Sequence, residues 1–348
     1  MDKKLNISIL EESRVPKYTQ IVNSIIGNIS SGKLEMGERI PSINELSAEY
    51  YLSRDTVEKA YNILKEKKII TSVKGKGYYV SRTQLIAKKN ILFLINKPSS
   101  YKMRIFKSFT NAIGADVHVD LSIYHCDETL FLNLIEKHKN SYDHYIIMPH
   151  FKNDSLKHLS YTDEITAAIN EIPKHKLVLM DNNKLQISGT IREIYQDFEN
   201  DIFDALTKGF EKLKRYKKLF LIYPRKVIYP YPLRILRGFV KFCGTHEFDY
   251  EILDEVYQDM EIKPLDAYIV IEENDLVNLV KMIRDQGFIM GRSVGVISYN
   301  DTPLKELLDI TVVSTDFKAM GEKAAEMIMN NSYEKIKNPF HFIERISV

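Results

Sequence analysis

The chain has 348 residues, of which 44% are hydrophobic and 11% aromatic, a composition that excludes wholesale disorder and a length that allows two or three domains. The formal net charge is only +2, so the total charge indicates no acidic partner. The charge is unevenly distributed, however: residues 1–87 carry 14 Lys and Arg against 10 Asp and Glu, and the remainder carries 35 against 37. This asymmetry is typical of a nucleic-acid-binding module joined to a different unit.

The chain lacks the marks of export, membrane insertion and metal binding. Cys126 and Cys243 are far apart and fit no metal or redox spacing, which favours a reduced, cytoplasmic environment. The amino-terminal segment has no apolar run of signal-peptide length, and no stretch approaches the ~18 apolar residues of a membrane span. The nine histidines form no metal-binding spacing. We therefore expect a cytoplasmic protein with no membrane contact, no metal and no cofactor.

Three helices are predicted between residues 16 and 66 from apolar residues that recur at helical spacing. The first helix places four isoleucines on one face: Ile21, Ile25, Ile26 and Ile29. The second opens with Ser42 and Glu45, which have the spacing of a capping box. The third can take Ser53 as its N-cap, and its predicted inward positions are Val57, Ala60, Tyr61 and Leu64.

The segment that follows, IITSVKGKGYYV, predicts two short strands around a Lys-Gly-Lys-Gly turn, a small hairpin. Between Lys59 and Lys76 there are six lysines and a single acid, Glu66. Charge alone does not distinguish a solvated surface from a surface that binds an acidic partner, and the turn is not a phosphate-binding loop.

From residue 90 onward, apolar runs of strand length alternate with helical segments. The expected strands are NILFLI, VHVDLSIY, HYIIMP, HKLVLMD, KLFLIY, DYEIL, AYIVI, SVGVISY, DITVV and FHFIERISV, and the expected helices cover residues 102–115, 127–139, 162–171, 197–215, 232–245, 275–287 and 316–330. Such alternation indicates parallel sheets that are covered on both faces. Because about 260 residues is large for one such sheet, we expect two lobes.

The amino-terminal region resembles the winged helix-turn-helix domain of the GntR family of bacterial transcription regulators. The resemblance is carried, in the family's order and spacing, by Pro16, Tyr18, Gln20, Ile21, Ile29, Gly32, Leu34, Gly37, Arg39, Ile40, Pro41, Ser42, Glu45, Leu46, Ser53, Arg54, Asp55, Thr56, Val57, Ala60, Tyr61, Leu64, Gly75, Lys76, Gly77, Tyr78, Tyr79 and Val80. It implies an α+β DNA-binding domain over residues 1–80. A linker at 81–88 and a second domain over 89–348 complete the expected organisation.

The resemblance also implies which residues contact DNA. A helix-turn-helix sets the start of its second helix in the major groove, where Arg54 could donate two hydrogen bonds to a guanine. The lysines of the wing turn would displace counterions from phosphates. The expected DNA-binding residues are Arg39, Ser42, Asn44, Ser53, Arg54, Asp55, Thr56, Lys74, Gly75, Lys76 and Gly77. Two positions depart from the family pattern, since Asn44 and Glu58 stand where basic residues are common.

The second region resembles the periplasmic-binding-protein-like domain of LacI/GalR regulators, and the combination is similar to arabinose-type repressors. The stretches that carry this resemblance are HKLVLMDNN, LRGF, AYIVIEENDLVNLVKMIRDQGFIMGRSVGVISYND and TVVSTDFKAMGEKAAEMIM. It implies an α/β domain whose two lobes close around a small ligand at the carboxyl ends of their strands. The expected fold is therefore multidomain, a winged helix-turn-helix followed by a two-lobed α/β domain.

The strand ends suggest effector-binding residues in this second domain. The expected set is Tyr101, His150, Arg234, Asp275, Asn300 and Asp301. Two departures from the family pattern fall in this region. Ile235 occupies the slot of the family's sugar-holding arginine, between Arg234 and Arg237, and Asn300 replaces the first acid of a conserved turn.

Together these features predict a homodimeric transcription regulator, a repressor, that binds a double-stranded DNA operator. A sugar-like effector, a monosaccharide or sugar phosphate, would control it in carbohydrate utilisation. Two alternatives stay open: a sugar-processing α/β enzyme with a DNA-binding appendage, and a constitutive DNA-binding protein whose lobes only dimerise. We expect no enzyme, because no nucleophile elbow, phosphate-binding loop, zinc-protease motif or dinucleotide fingerprint occurs in the sequence.

Overall fold

The computed structural model describes residues 5, 7–10, 13, 15–30, 32–81, 89–114, 117–182 and 187–348. The chain divides into two compact units, Met1–Lys89 and Asn90–Val348. Apart from Ser81, the expected linker at 81–88 lies outside the described residues. Within the described ranges, every helix is too short or too polar to span a bilayer.

The first unit combines helices with a small antiparallel sheet. Its described elements are α1 (Lys17–Ser30), β1 (Arg39–Ile40), α2 (Ile43–Glu49), α3 (Arg54–Glu66), β2 (Ile70–Val73) and β3 (Gly77–Val80). Strand β3 lies between β1 and β2 and is antiparallel to both. The predicted three helices and hairpin are confirmed.

The predicted helix starts and inward positions of this unit are also confirmed. Ser42 and Glu45 form a reciprocal capping box at α2, and the Ser53 hydroxyl caps α3. The four predicted inward residues of α3 are fully buried. The Tyr61 hydroxyl donates to the carbonyl of Pro41 at 2.7 Å, which ties α3 to the start of α2. Burial of such apolar side chains, about 1.5–3 kcal/mol each, holds the helices together.

A segment before α1 adds to this core in a way that the sequence did not predict. Leu5 and Ile7 are buried against the helices. The Tyr50 hydroxyl accepts from the Ile7 amide at 3.0 Å and donates to the Leu5 carbonyl at 2.6 Å. Leu5 and Ile7 are therefore part of the first unit's packing.

The second unit begins with a run of alternating strands and helices. Its elements up to residue 196 are β4 (Lys89–Ile95), α4 (Ser100–Ile113), β5 (Val117–Ile123), α5 (Glu128–Lys137), β6 (His144–Ile147), β7 (Phe151–Lys152), β8 (His158–Leu159), α6 (Asp163–Glu171), β9 (Leu177–Asn182) and β10 (Arg192–Gln196). From 198 to 315 the elements are α7 (Phe198–Lys208), α8 (Phe210–Leu213), β11 (Lys218–Ile222), α9 (Leu233–Thr245), β12 (Asp249–Leu253), β13 (Asp266–Val270), α10 (Glu273–Asp285), β14 (Gly295–Tyr299), α11 (Pro303–Leu307) and β15 (Thr311–Thr315). The last three are α12 (Phe317–Met329), β16 (Lys335–Lys337) and β17 (Phe340–Ile343).

These elements build two lobes, each around a six-stranded sheet. The first lobe has the strand order β16-β10-β9-β6-β4-β5, and the second has β12-β11-β13-β14-β15-β17. Strand β17 pairs antiparallel with β15, whereas the neighbouring pairs in that sheet are parallel. The chain crosses between the lobes after β10, after β15 and after β16, so the expectation of two parallel-sheet lobes is confirmed.

Two glycines of the motifs that carry the second resemblance are required by close helix packing. A Cβ on Gly321 of α12 would lie 2.4 Å from the Ile105 carbonyl oxygen of α4. A Cβ on Gly238 of α9 would lie 2.1 Å from the Glu199 carbonyl oxygen of α7. Neither helix pair could approach so closely around a larger residue.

Several elements were not predicted from the sequence, namely the strands β1, β7, β8, β10 and β16 and the helix α11. Strand β10 was missed because it begins with a charged residue, Arg192, which is fully buried. Its guanidinium donates to the carbonyls of Met327 and His175 and to Asn331 Oδ1, at 2.6–3.2 Å. Those partners come from distant parts of the chain, so the local pattern does not show that the arginine can be buried.

The single helix expected over 197–215 is in fact two helices. Helix α7 ends at Lys208 and α8 begins at Phe210, with Gly209 between them. A Cβ on Gly209 would lie 2.4 Å from the ring of Phe342 in β17. The break therefore falls where a strand that is distant in sequence packs against the backbone.

Candidate functional site

The start of α3 presents a short group of exposed polar side chains. The Ser53 hydroxyl accepts from the Thr56 amide at 3.2 Å and lies 2.7 Å from the Thr56 hydroxyl. Both hydroxyls are therefore used in part to begin the helix. Arg54 and Asp55 are exposed, and the free amides of a helix start favour a nearby anion. Glu58, one turn after Arg54, is exposed as well.

The start of α2 is fixed by its capping box. The Glu45 carboxylate accepts from the Ser42 amide at 2.6 Å, and the Ser42 hydroxyl accepts from the Glu45 amide at 3.2 Å. These bonds from Ser42, together with the charge of Arg39, lower the pKa of Glu45. Asn44 is exposed in the first turn, where its amide is available to a partner.

The wing turn, defined as residues 74–77, links β2 to β3. Gly75 and Gly77 have φ angles of 74° and 105°, which side-chain-bearing residues rarely adopt. Lys74 and Lys76 are exposed beside them. Arg39 lies against this turn, since a Cβ on Gly77 would be 3.3 Å from Arg39 Nε.

Arg39 connects the wing turn to the start of α2. Its Nη2 atom is 3.6 Å from Glu45 Oε1 in an exposed ion pair. The structure therefore places Arg39 beside two of the predicted DNA-contacting segments. Lys59, by contrast, stacks on the Tyr18 ring at 4.1 Å, so one of the six clustered lysines packs against α1.

In the second unit, the carboxyl ends of the strands from both lobes enclose a cleft. The space between its walls is about 450 Å³, including the part open to solvent. The lining residues are Asn96, Lys97, Tyr101, Lys102, His150, Asp181, Gln196, Phe198, Pro230, Tyr231, Pro232, Ile235, Tyr299, Asn300 and Phe317. They combine aromatic rings with buried charges.

Three of the six predicted effector residues line this cleft: Tyr101, His150 and Asn300. Tyr101 stacks on Phe317 with ring centroids 5.3 Å apart. Arg234 lies beside the lining rather than in it. Its Nη2 donates to Asn182 Oδ1 at 3.1 Å, and its guanidinium lies 5.2 Å from the Phe198 ring.

The other two predicted effector residues lie elsewhere. Asp275 accepts from the Val256 amide at 2.9 Å, in a separate surface pocket. Asp301 forms a bidentate ion pair with Arg345, with N–O distances of 2.9 and 3.0 Å. The hydrogen bonds of both carboxylates hold the second lobe together, and neither carboxylate lines the cleft.

A polar network in the cleft wall was not predicted from the sequence. Asp181, at the end of β9, accepts from Lys102 Nζ, from Gln196 Nε2, and from His150 Nε2 at 3.0 Å. Burial alone would raise the pKa of Asp181, but Lys102 and His150 outweigh it and hold that pKa well below its usual range. For Asp181, the sequence did contain a signal, namely a charged residue at the end of an apolar strand. Lys102 gave no such signal, because it lies within a predicted helix.

Two histidines extend this network. His150 Nδ1 lies 2.8 Å from His158 Nε2. Because Asp181 only accepts, His150 carries its proton on Nε2 and its Nδ1 accepts from His158. Burial lowers the pKa of His158 to about 2, and neighbouring His150 adds to the effect. Burial also lowers the pKa of His150, so both rings are neutral.

Direct contacts join the two lobes around the cleft. His125 Nδ1 lies 2.8 Å from the Tyr229 hydroxyl, and Arg104 Nη1 donates to the Asp301 carbonyl at 2.8 Å. Gln196, at a crossing between the lobes, accepts from the Thr315 hydroxyl. A ligand in the cleft would touch side chains of both lobes. Across the described ranges, no group of three metal-binding side chains could hold an ion.

Each of the two units is similar to a different group of known proteins. Residues 17–80 match the family model of the bacterial regulatory proteins of the gntR family, and residues 214–346 match that of the periplasmic binding protein-like domain. An arabinose metabolism transcriptional repressor of Geobacillus stearothermophilus is 34% identical over 73 residues, 21% of this chain and 20% of that protein. The chain spans 20–29% of the length of three curated relatives that it matches.

Two solved structures share the fold of the second unit. A periplasmic binding protein/LacI transcriptional regulator from Alkaliphilus metalliredigens, complexed with D-xylulofuranose, has a TM-score of 0.54 at 15% identity, over 75% of this chain and 99% of that one. A LacI family regulator from Lactobacillus casei with bound glucose has a TM-score of 0.58 at 14% identity, over 74% and 99%. The chain thus carries a gntR-family helix-turn-helix domain at its amino terminus, followed by a periplasmic binding protein-like α/β domain of the kind found in LacI-type regulators.

Proposed function

We propose that this chain is a transcription regulator that binds a specific double-stranded DNA sequence and releases it in response to a small ligand. The observation that carries the proposal is the start of α3, where Ser53 caps the helix and leaves Arg54 and Asp55 exposed. This arrangement suits insertion of the helix start into a major groove, where an arginine can read guanine and a carboxylate can accept from cytosine.

The wing turn and α2 would position the protein on the DNA backbone. Lys74 and Lys76 are exposed on a turn whose glycines let the backbone approach a phosphate closely. Each lysine that neutralises a phosphate adds affinity and salt dependence but little sequence preference. Arg39, Ser42 and Asn44 complete the proposed DNA-binding set. Glu58 lies one turn after Arg54 and would weaken contacts to phosphate.

The cleft of the second unit is the proposed effector site. Tyr101, His150 and Asn300 line it, and Arg234 flanks it through Asn182. Asp275 and Asp301 support the lobe in this proposal. The fold relatives described above bind D-xylulofuranose and glucose, which supports a sugar-like ligand here and a role in carbohydrate utilisation. We place the protein in the cytoplasm as a homodimer, since paired reading heads would bind half-sites about one helical turn apart.

Binding without turnover is the proposed outcome at this cleft. The carboxylate of Asp181 and the ring of His150 are hydrogen-bonded to each other, and Lys102 is paired with the same carboxylate. These pairings hold the three side chains in the cleft wall. They do not form the arrangement of an exposed nucleophile next to a general base. Chemical conversion of a bound sugar by the purified chain would contradict this part of the proposal.

The test is selection of duplexes from a random pool by the full-length chain. We expect one enriched motif, in two copies about one helical turn apart. Recovery of an unselected pool would contradict specific DNA binding. The affinity for the selected duplex is then measured with a panel of neutral and phosphorylated monosaccharides. An effector should change it by about 5–150-fold, the usual range of coupling between two sites.

A further inference from the structure

Lys97 is a buried cation in the cleft wall. It follows β4 at the carboxyl edge of the first sheet, and only 8% of its surface is exposed. Its Nζ faces three tyrosine rings, at 4.5 Å from the centroid of Tyr231, 5.5 Å from that of Tyr101 and 6.0 Å from that of Tyr229. Tyr101 belongs to the first lobe, whereas Tyr229 and Tyr231 precede α9 of the second. The ammonium group therefore lies where the lobes meet.

The two lysines of the cleft differ in their partners. Lys102 is paired directly with Asp181, so their charges cancel. No carboxylate in the described part of the chain forms an ion pair with Lys97, which contacts the tyrosines instead. Glu272 accepts from the Tyr231 hydroxyl at 2.5 Å and lines the separate pocket that contains Asp275. Its negative charge acts on Lys97 without a direct contact. The cleft lining thus keeps one positive charge that no lining carboxylate balances.

Two polar atoms of the cleft residues also lack partners. Asn96 Oδ1 and the Tyr299 hydroxyl are buried and make no hydrogen bond to any described residue. Both residues line the cleft. A buried acceptor without a donor is costly, and such groups in native proteins usually have a role.

A buried ammonium without a carboxylate in direct contact is costlier still, because aromatic faces compensate only part of its lost hydration. The neighbouring rings provide the other half of a carbohydrate site, since the stacked pair Tyr101 and Phe317 can face the apolar side of a sugar ring. The wall therefore offers one anion contact and an apolar face.

We propose that Lys97 binds an anionic group of the ligand, so that the cleft selects a small polyhydroxylated compound carrying a phosphate or a carboxylate over its neutral counterpart. This inference rests on the proposed function of the cleft as an effector site. The anion would lie where the lobes meet, held by Lys97 of the first lobe.

The first experiment uses inorganic phosphate as the probe on the full-length chain. Thermal unfolding is followed as phosphate replaces chloride at constant ionic strength, for the wild type, Lys97→Met and the matched control Lys107→Met. Lys107 is an exposed lysine on α4 of the same lobe. We expect the wild type and the control to be stabilised equally, and Lys97→Met to show an apparent affinity at least tenfold weaker.

Equal phosphate responses in the wild type and Lys97→Met would overturn the proposal, as would no stabilisation of the wild type beyond chloride. If Lys97→Met does not fold, Lys97→Gln replaces it, and the wild-type comparison of the two salts remains decisive. The first experiment also includes acetate, which separates a general carboxylate site from a phosphate site.

The second experiment identifies the class of ligand by calorimetry with D-glucose, D-glucose 6-phosphate and D-gluconate. Tighter binding of either anionic compound, lost in Lys97→Met, supports the proposal, and neutral glucose binding as tightly as both would contradict it. DNA selection with the same preparations separates the two claims. If the chain binds anions through Lys97 but selects no DNA sequence, only the proposed role as a regulator is overturned. If it selects a DNA sequence but does not bind anions through Lys97, only the proposed anion site is overturned.

Discussion

The two units of this chain present their functional side chains in opposite ways. In the first unit, Arg54, Asp55 and the wing lysines are exposed and come from one segment of fewer than 40 residues. In the second, Lys102, His150 and Asp181 are each at most 5% exposed and come from separate elements. Exposed charges act through solvent and are screened by salt, whereas buried charges depend on one specific partner. The same residue types should therefore respond differently to mutation, pH and salt in the two units.

The largest expected effect is the loss of a buried partner. Asp181→Asn would leave Lys102 without its counter-ion, at a cost of about 3–5 kcal/mol in the free energy of unfolding. The matched control is Glu171→Gln, which breaks an exposed pair with Lys139 at 2.8 Å and should cost less than ~1 kcal/mol. Urea unfolding at pH 7 measures both. Similar costs at the two sites would remove the contrast between buried and exposed pairs.

A substitution at the start of α3 should weaken binding rather than folding. Arg54→Ala is expected to cost about 1–3 kcal/mol in affinity for the selected duplex and to relax the preference at one base pair. The free energy of unfolding should be nearly unchanged, because Arg54 is exposed. Fluorescence anisotropy with single-base variants of the duplex provides the measurement, and Arg284→Ala on α10 is the control. An unaltered base preference would show that Arg54 does not read the sequence.

Acid should destabilise the second unit through its histidine pair. Burial lowers the pKa of His158 to about 2 and also lowers that of His150, while both groups titrate near 6.5 when unfolded. Below that pH the unfolded chain binds protons that the folded chain does not, so stability falls as pH falls. The slope is on the order of 1 kcal/mol per pH unit for each histidine.

The pH dependence can be assigned with two variants. His158→Gln should reduce the slope between pH 6.5 and 5, whereas His341→Gln, at an exposed position in β17, should leave it unchanged. Urea unfolding across this range measures the slopes. The groups that face the pair, Asp181, Lys102 and Arg234, are the same in both variants. Equal slopes in the two variants would contradict a neutral buried pair.

The smallest expected effect concerns the wing turn. Lys74→Ala should weaken binding to all duplexes alike and reduce the magnitude of the slope of log affinity against log salt by about one unit. Lys281→Ala, an exposed lysine of α10, is the control. An unaltered salt slope would remove Lys74 from the phosphate contacts, whatever the role of Arg54.

The contrast also explains what the sequence could predict. Helix starts, the wing turn and the inward face of α3 depend on residues within a few positions of each other, and the structure confirms them. The alternating strands and helices after residue 90 were predicted because each buried strand is an apolar run of its own. Strand β10 was not, because the burial of Arg192 depends on oxygen atoms of His175, Met327 and Asn331, which come from two other segments of the chain.

The cleft was predicted only in part for the same reason. Strand ends suggested Tyr101, His150 and Asn300 as effector-binding residues, and all three line the cleft, since parallel strands end at one edge. Lys102 and Gln196 both donate to Asp181 in the cleft wall, and this long-range pairing is not visible in the local sequence. Asp275 and Asp301 also follow strands, but their hydrogen bonds to Val256 and Arg345 take them out of the lining. The position of a residue after a strand predicts at which edge of the sheet it lies. Long-range hydrogen bonds decide which of these side chains line the cleft.

The central claim is that one chain couples a DNA-reading surface to a ligand cleft. Its most direct test is the affinity of the full-length chain for its selected duplex, measured with D-glucose 6-phosphate against matched chloride, for the wild type and Lys97→Met. Coupling should change the wild-type affinity by about 5–150-fold and leave Lys97→Met with only the general effect of salt. Equal responses of the two proteins, including no response in either, would contradict the account.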